Sequence, residues 1–109
     1  MMIEMDIFPM EDTILTLHLD AAKQGVRINH NKYETVRAAI LELLRIHGPL
    51  SFTGLGERVA DALHSTFEGS VMWYYTTVKL DLEARGEIRR VPKSQPQMIE
   101  LCAPKINGD

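Results

Sequence analysis

The sequence predicts an α+β domain in which three helices form the core and a β-hairpin follows them. Apolar residues recur at helical spacing in residues 31–48, in residues 51–63 and between Ser70 and Gly86. Beyond Gly86, two short extended stretches flank a polar loop that contains proline, a pattern typical of a hairpin. With 109 residues, the chain is long enough to bury a core of its own, so we expect one domain.

The chain is predicted to begin with a flexible acidic arm, residues 1–12. Five acidic side chains and no basic one occur within the first 20 residues, so the basic start of a secretory signal is missing. The rest of the chain carries 12 basic residues and 10 of the 15 acidic ones. This mildly basic body is well short of the strongly basic composition typical of DNA-binding domains.

An extension that contains a strand and a turn is predicted for residues 13–30. In the stretch TILTLHLD, Leu15, Leu17 and Leu19 alternate with polar residues. This period of two predicts a strand whose three leucines face the core. A second, shorter extended piece is expected at residues 26–28.

The first two helices have clear start and stop signals. Asn31 is predicted to cap the first helix with Glu34 completing the cap, and Gly48 and Pro49 are predicted to end it. Its apolar face consists of Tyr33, Val36, Ile40, Leu43 and Leu44. After a very short strand in PLSF, Ser51 or Thr53 is expected to cap the second helix. That helix is predicted to bury Leu55, Val59, Ala62 and Leu63 and to expose Glu57, Arg58 and Asp61.

The element order resembles that of a winged helix-turn-helix domain, here residues 31–102 followed by a tail at residues 103–109. The run LEARGEIRRV resembles that superfamily's junction between the recognition helix and the wing. Glu87 departs from the pattern, because an aliphatic residue is commoner after the glycine. The stretches KQGVRI, KYETVRAAIL and FEGSVMWYYTTVKLDLEARG resemble more narrowly a family of small bacterial winged-helix proteins of unknown function.

The resemblance implies binding of duplex DNA, with the third helix in the major groove and the hairpin along the backbone. The residues that the resemblance predicts to contact DNA are Ser70, Trp73, Tyr74, Thr76 and Thr77 on the helix and Arg89, Arg90 and Lys93 on the wing. Lys79 and Arg85 are further candidates. Threonine hydroxyls can bond bases, and lysine and arginine neutralise phosphates. Residues 79–93 contain five basic and three acidic side chains, so an ordinary solvated charged face is an equal alternative.

The third helix carries two apolar rows on nearly opposite sides. Val71, Tyr75, Val78 and Leu82 form the expected core stripe, and Trp73, Thr77, Leu80 and Ala84 form the second row. A helix that is apolar on two sides is normally covered on both. Three covers are possible: the N-terminal strand through Leu15 and Leu17, a homodimer or partner protein at Trp73 and Leu80, or DNA.

No pattern in the sequence indicates an enzyme, a metal site or a cofactor. The four histidines and Cys102 lack metal-ligand spacing, and GLG at residues 54–56 is only a fragment of a dinucleotide fingerprint. No apolar run approaches the roughly 20 residues that span a bilayer. We therefore expect a cytoplasmic protein that acts as a DNA-binding regulator or accessory factor, or alternatively as a protein-interaction and dimerisation module without nucleic-acid binding.

Overall fold

The computed structural model describes residues 12–20, 23 and 25–102. They form an α+β domain with three helices and two small antiparallel sheets. The elements in chain order are β1 (Thr13–Leu15), β2 (Arg27–Asn29), α1 (His30–His47), β3 (Leu50–Ser51), α2 (Phe52–Leu63), α3 (Val71–Arg85), β4 (Ile88–Arg90) and β5 (Met98–Leu101). The predicted flexible arm, apart from Asp12, and the predicted tail lie outside the described residues. No helix in the described part of the chain is both long and apolar enough to cross a membrane.

Helix α1 begins earlier than predicted, because Asn29 rather than Asn31 caps it. The Asn29 side chain accepts a hydrogen bond from the backbone N–H of Lys32 at 2.9 Å. This bond satisfies one of the amide groups that the first turn of a helix leaves without a partner. The predicted cap partner, Glu34, lies 3.5 Å from Arg37 instead.

The other helix boundaries follow the predicted signals. Ser51 and Ser70 cap α2 and α3, each accepting a hydrogen bond from the backbone N–H three residues later, at 2.9 and 3.1 Å. Gly48 and Gly86 lie just beyond α1 and α3 with φ angles of +75° and +80°. Glycine adopts this left-handed conformation without the steric cost that a Cβ would add, so it ends both helices readily.

The core lies between the three helices and the larger sheet. Its buried apolar side chains are Ile28, Tyr33, Val36, Ile40, Leu44, Leu55, Val59, Tyr75, Val78, Leu82, Ile88 and Ile99. These positions confirm most of the predicted core stripes of α1 and α3, and the remaining two residues, Leu43 and Val71, are partly buried against the core. On α2, the predicted burial of Ala62 is wrong: Ala62 is exposed, and the last turn packs against the core through Leu63.

The larger sheet joins the hairpin to the strand between the first two helices. Its order is β3-β5-β4, with both pairs antiparallel. Leu50 lies opposite Ile99, and Ile88 lies opposite Leu101. The predicted hairpin of β4 and β5 is therefore present, and the very short strand predicted in PLSF pairs with its second strand.

The extension forms the smaller sheet, and its predicted faces are reversed. Strand β1 pairs antiparallel with β2 and ends at Leu15, where a longer strand was expected. Thr16 is buried, because its hydroxyl donates to the Val26 carbonyl and accepts from the Val26 N–H, both at 3.0 Å. Leu15, Leu17 and Leu19 are exposed, so the prediction that these leucines face the core is wrong.

Candidate functional site

The extension is fastened to α3 by a buried carboxylate. Asp81 has no exposed surface, and its Oδ1 accepts a hydrogen bond from the backbone N–H of Leu17 at 2.8 Å. Arg85 donates to the same carboxylate at 2.8 and 2.9 Å, and also to the carbonyl of Leu15 at 3.3 Å. Asp81 and Arg85 together hold two backbone groups of the extension, the Leu17 N–H and the Leu15 carbonyl, against the helix.

Helix α1 contributes to the same network through Tyr33, whose hydroxyl donates to Asp81 Oδ2. Burial raises the pKa of Tyr33, and the hydrogen bond to Asp81 raises it further. The same hydrogen-bonded carboxylate raises the pKa of Arg85. Asp81 thus accepts bonds from the extension, from α1 and from its own helix, so its position ties three parts of the fold together.

Two grooves border the extension where it crosses α3. The first has a volume of about 520 Å³, and the residues that line it are Leu15, Thr16, Leu17, His18, Leu19, Lys23, Gly25 and Ala84. The second, of about 200 Å³, is lined by Thr16, Leu17, His18, Gly25, Val26, Trp73, Thr77 and Leu80. Both grooves are lined by the segment from Thr16 to His18 and by Gly25, so they adjoin at this part of the extension.

Five large apolar side chains on this part of the molecule face solvent, namely Leu15, Leu17, Leu19, Val26 and Trp73, each between 41% and 60% exposed. Each of the five lines at least one of the two grooves, and Leu17 lines both. We call this set of five residues the extension–helix surface. It combines the extension with the first half of α3.

The second apolar row of α3 is covered in part by the extension. Thr77 and Leu80 are half-buried and line the smaller groove, whereas Trp73 at the exposed end of the row remains 48% exposed. Leu80 therefore borders the same groove as the extension, but Leu15 and Leu17, through which the first predicted cover was to act, are themselves exposed. Trp73 and the leucines of the extension, which face outward, keep the extension–helix surface apolar where it meets solvent.

The remaining helix positions predicted to contact DNA have mixed surroundings. Ser70 is occupied as the cap of α3. Tyr74 is half-buried, with its ring 5.1 Å from those of both Phe67 and Trp73 in edge-on contacts. Thr76 is exposed, so among the polar candidates on this helix it is the one whose side chain faces solvent freely.

The basic candidates on α3 pair with carboxylates of the same helix. Lys79 is almost fully buried, with its ammonium 3.0 Å from Glu83 and 5.4 Å from the centre of the Phe52 ring. This burial contradicts its predicted role as a phosphate contact. Arg85 pairs with buried Asp81 at 2.8 Å. Both lysine and arginine therefore neutralise carboxylates that the fold has removed from water.

The basic candidates on the hairpin lie at the surface. Arg89 pairs with Glu100 at 2.6 Å and Arg90 with Glu83 at 3.2 Å, while both arginine side chains stay more than half exposed. Lys93 is exposed in the turn between β4 and β5. The unusual Glu87 of the junction lies 2.7 Å from Arg37 of α1, so this acidic residue fixes the start of the hairpin to the first helix.

Sequence reasoning missed Val26 as a member of the surface and Asp81 as the residue that organises it. Val26 reaches the surface because β1 and β2 pair, and the pairing of two three-residue strands leaves almost no signal in a sequence. In the sequence Asp81 was counted only as one of the three acidic side chains of residues 79–93. The spacing of Asp81 and Arg85, four residues apart, was the available signal for an ion pair.

Residues 13–99 match the model of one family, described as a family of unknown function (DUF6958). The match includes the extension, the three helices and the hairpin as far as the middle of β5. No curated protein and no solved structure matches the chain significantly.

Proposed function

We propose that this chain, which belongs to DUF6958, a family of unknown function, is a protein-interaction module that binds through the extension–helix surface. The observation that carries this proposal is the clustering of five exposed apolar side chains along two adjoining grooves. Exposed apolar surface that is contiguous usually marks a binding site, whereas scattered apolar residues do not. Trp73 lies among them, and tryptophan is enriched among the residues that contribute most to protein binding.

The extent of the surface also fits an interface. The exposed fractions of the five side chains correspond to on the order of 500 Å² of apolar area, a size at which surface patches on monomeric proteins are often functional. The side chains of Asp81 and Glu83 are almost fully buried inside the protein. A partner would therefore bury apolar groups without having to remove these two carboxylates from water.

For the fold, the proposal includes a winged helix-turn-helix topology over residues 31–102. Support comes from the order of three helices followed by the β4–β5 hairpin, and from the pairing of β3 with β5. In this assignment α3 is the recognition helix and the hairpin is the wing. The segment of α3 from Val78 to Glu83 is buried or half-buried throughout, so the first half of the helix and Arg85 at its end are the parts accessible for contacts.

Replacing Trp73 by alanine is expected to reduce partner binding about tenfold or more, because a large aromatic side chain that becomes buried in an interface is a typical hot spot. The immobilised chain would be exposed to a lysate of the cells that express it naturally, and the retained proteins would be identified by mass spectrometry. The matched control is Ile46→Ala, because Ile46 is equally apolar and exposed but lies at the end of α1. Retention of the same proteins by Trp73→Ala would contradict the proposal.

Binding of duplex DNA is a second candidate function, and the exposed basic side chains of the hairpin favour it. Arg89, Arg90 and Lys93 project from β4 and the turn after it. Surface ion pairs such as that of Arg89 contribute little, about 0–1 kcal/mol, so a phosphate can replace the carboxylate. Thr76 on the exposed part of α3 can add a hydrogen bond to a base or phosphate.

For this candidate we expect duplex binding at low salt that weakens steeply as salt rises, because phosphate contacts release counterions. Changing Arg89, Arg90 and Lys93 together to alanine should reduce the slope of log affinity against log salt by about 3. Fluorescence anisotropy of a labelled duplex measures both quantities. Arg58→Ala is the matched control, since Arg58 is exposed on α2. A chain that binds no duplex at low salt would exclude this function.

A further inference from the structure

We infer that the occupant of the extension–helix surface is the same surface of a second copy of this chain, with Leu17 at the two-fold axis. This inference rests on the proposed function and specifies its partner. A symmetric dimer places one patch against an identical patch, so the patch has to be complementary to itself in shape and in charge. Both properties can be tested against the geometry of the surface.

The arrangement of the apolar side chains suits a two-fold contact at Leu17. Among the five side chains of the surface, Leu17 is the one that lines both grooves. A two-fold axis at Leu17 brings the two Leu17 side chains together, and the apolar side chains beside Leu17 in one copy then face those of the other copy.

The charge of the surface is also compatible with its own copy. Among the described residues that line the two grooves, Lys23 is the one with a permanent formal charge. Two copies can therefore meet without a like-charge repulsion at the centre, which is where such repulsion costs most. A partner recognised by opposite charge would need a stronger field than Lys23 provides, so an apolar partner matches the surface better, and the surface of a second copy is apolar in the same way.

The area is adequate for a reversible dimer. Two facing patches of this size would remove on the order of 1,000 Å² from water, which reaches the lower limit for a specific interface. Association has to offset the loss of translational and rotational freedom, so we expect a dissociation constant on the order of micromolar. The dimer should therefore form and dissociate within an accessible range of protein concentration.

The inference is tested on the purified full chain by sedimentation equilibrium and by the fluorescence of Trp73, the one tryptophan in the sequence. We expect the mass to rise from monomer to dimer with concentration. The emission of Trp73 should shift to shorter wavelength over the same range, because its ring leaves water. Leu17→Asp and Leu17→Lys should each remain monomeric, since two like charges would then meet at the axis.

An equimolar mixture of Leu17→Asp and Leu17→Lys should recover the dimer, because opposite charges then face each other. Ile46→Asp, which places the same charge on an exposed apolar residue of α1, should dimerise like the unchanged chain. Thermal unfolding of each variant confirms that it is folded.

A chain that remains monomeric at every concentration would overturn this inference, and so would two Leu17 variants that do not recover the dimer when mixed. If a monomeric chain still captures another protein in a manner that depends on Trp73, the proposed function holds and its partner is that protein. If the chain is monomeric and no capture depends on Trp73, both proposals fail. Occupation of the surface by residues 1–11 of the same chain would give this last result.

Discussion

Replacing Asp81 by alanine is expected to lower the free energy of unfolding by about 3–5 kcal/mol, the usual loss when one partner of a buried ion pair is removed. Asp81 is fully buried and accepts hydrogen bonds from the Leu17 N–H, the Tyr33 hydroxyl and Arg85. Without the carboxylate, these donors lose their acceptor in a region that water reaches poorly. Each unsatisfied buried donor then costs about 1–3 kcal/mol.

The Asp81 variant should also loosen the extension before the rest of the fold. The hydrogen bond from Leu17 to Asp81 is a direct link between the extension and α3, and its loss should increase the hydrogen-exchange rate of the Leu17 amide. Amides in the middle of α1, such as that of Ile40, lie in the core and should lose protection only with global unfolding. Exchange measured residue by residue by NMR separates the two effects.

Urea unfolding measures the change in global stability, and Asp61→Ala is the matched control. Asp61 is exposed on α2, so its removal should change the free energy of unfolding by no more than about 0.5 kcal/mol. A loss of less than about 1 kcal/mol for Asp81→Ala would mean that the buried carboxylate does not organise the fold as its contacts indicate.

Most of the helical framework could be predicted from the sequence because its signals are local. Ser70 and Gly86 bound α3 through contacts within a few residues, and the spacing of Tyr75, Val78 and Leu82 identifies the core stripe. The cap of α1 was misplaced because asparagine occurs at positions 29 and 31, and both can cap a helix. The choice between them depends on how far β2 extends, which is a tertiary property.

The faces of the extension could not be predicted because a period of two shows that two sides differ and does not show which side is covered. Burial of Thr16 depends on the backbone of Val26, ten residues further along the chain. Once Thr16 is satisfied in this way, its inward position costs little, and Leu15 and Leu17 point outward. The hydrophobic pattern was real, but it belongs to an exposed surface.

The part of the candidate surface that lies on α3 could be predicted from the sequence. Trp73 and Leu80 were identified because helical spacing places them opposite the core stripe, and this geometry depends on α3 alone. Lys79 was assigned to DNA because its burial against the Phe52 ring is invisible in the sequence, although its spacing of four residues from Glu83 was an available signal for an ion pair. The helical periodicity of the sequence therefore identified the second apolar row of α3. The positions of the charged side chains, by contrast, could be seen only in the packed structure.

Replacing Gly25 by alanine is expected to detach the extension from α3 and to abolish self-association. A Cβ at Gly25 would lie 1.6 Å from the carbonyl oxygen of Thr16 and 2.5 Å from its carbonyl carbon. These are backbone atoms, so the two segments of the extension have to separate. The bonds between Thr16 and Val26 that hold them together would break, and the two grooves share this region.

The expected loss of global stability is about 1–3 kcal/mol, the range for overpacking, because the core of the three helices does not include Gly25. The larger effect should be local, with faster hydrogen exchange at the Thr16 and Val26 amides and a monomeric mass in sedimentation equilibrium. Gly54→Ala is the control, since its Cβ would meet only the Ser51 side chain, at 3.0 Å, and alanine favours the helix in which Gly54 lies. If Gly25→Ala left the Thr16 amide protected, the close approach of the two segments could not be what holds the extension in place, and Leu17 would owe its position to Asp81 alone.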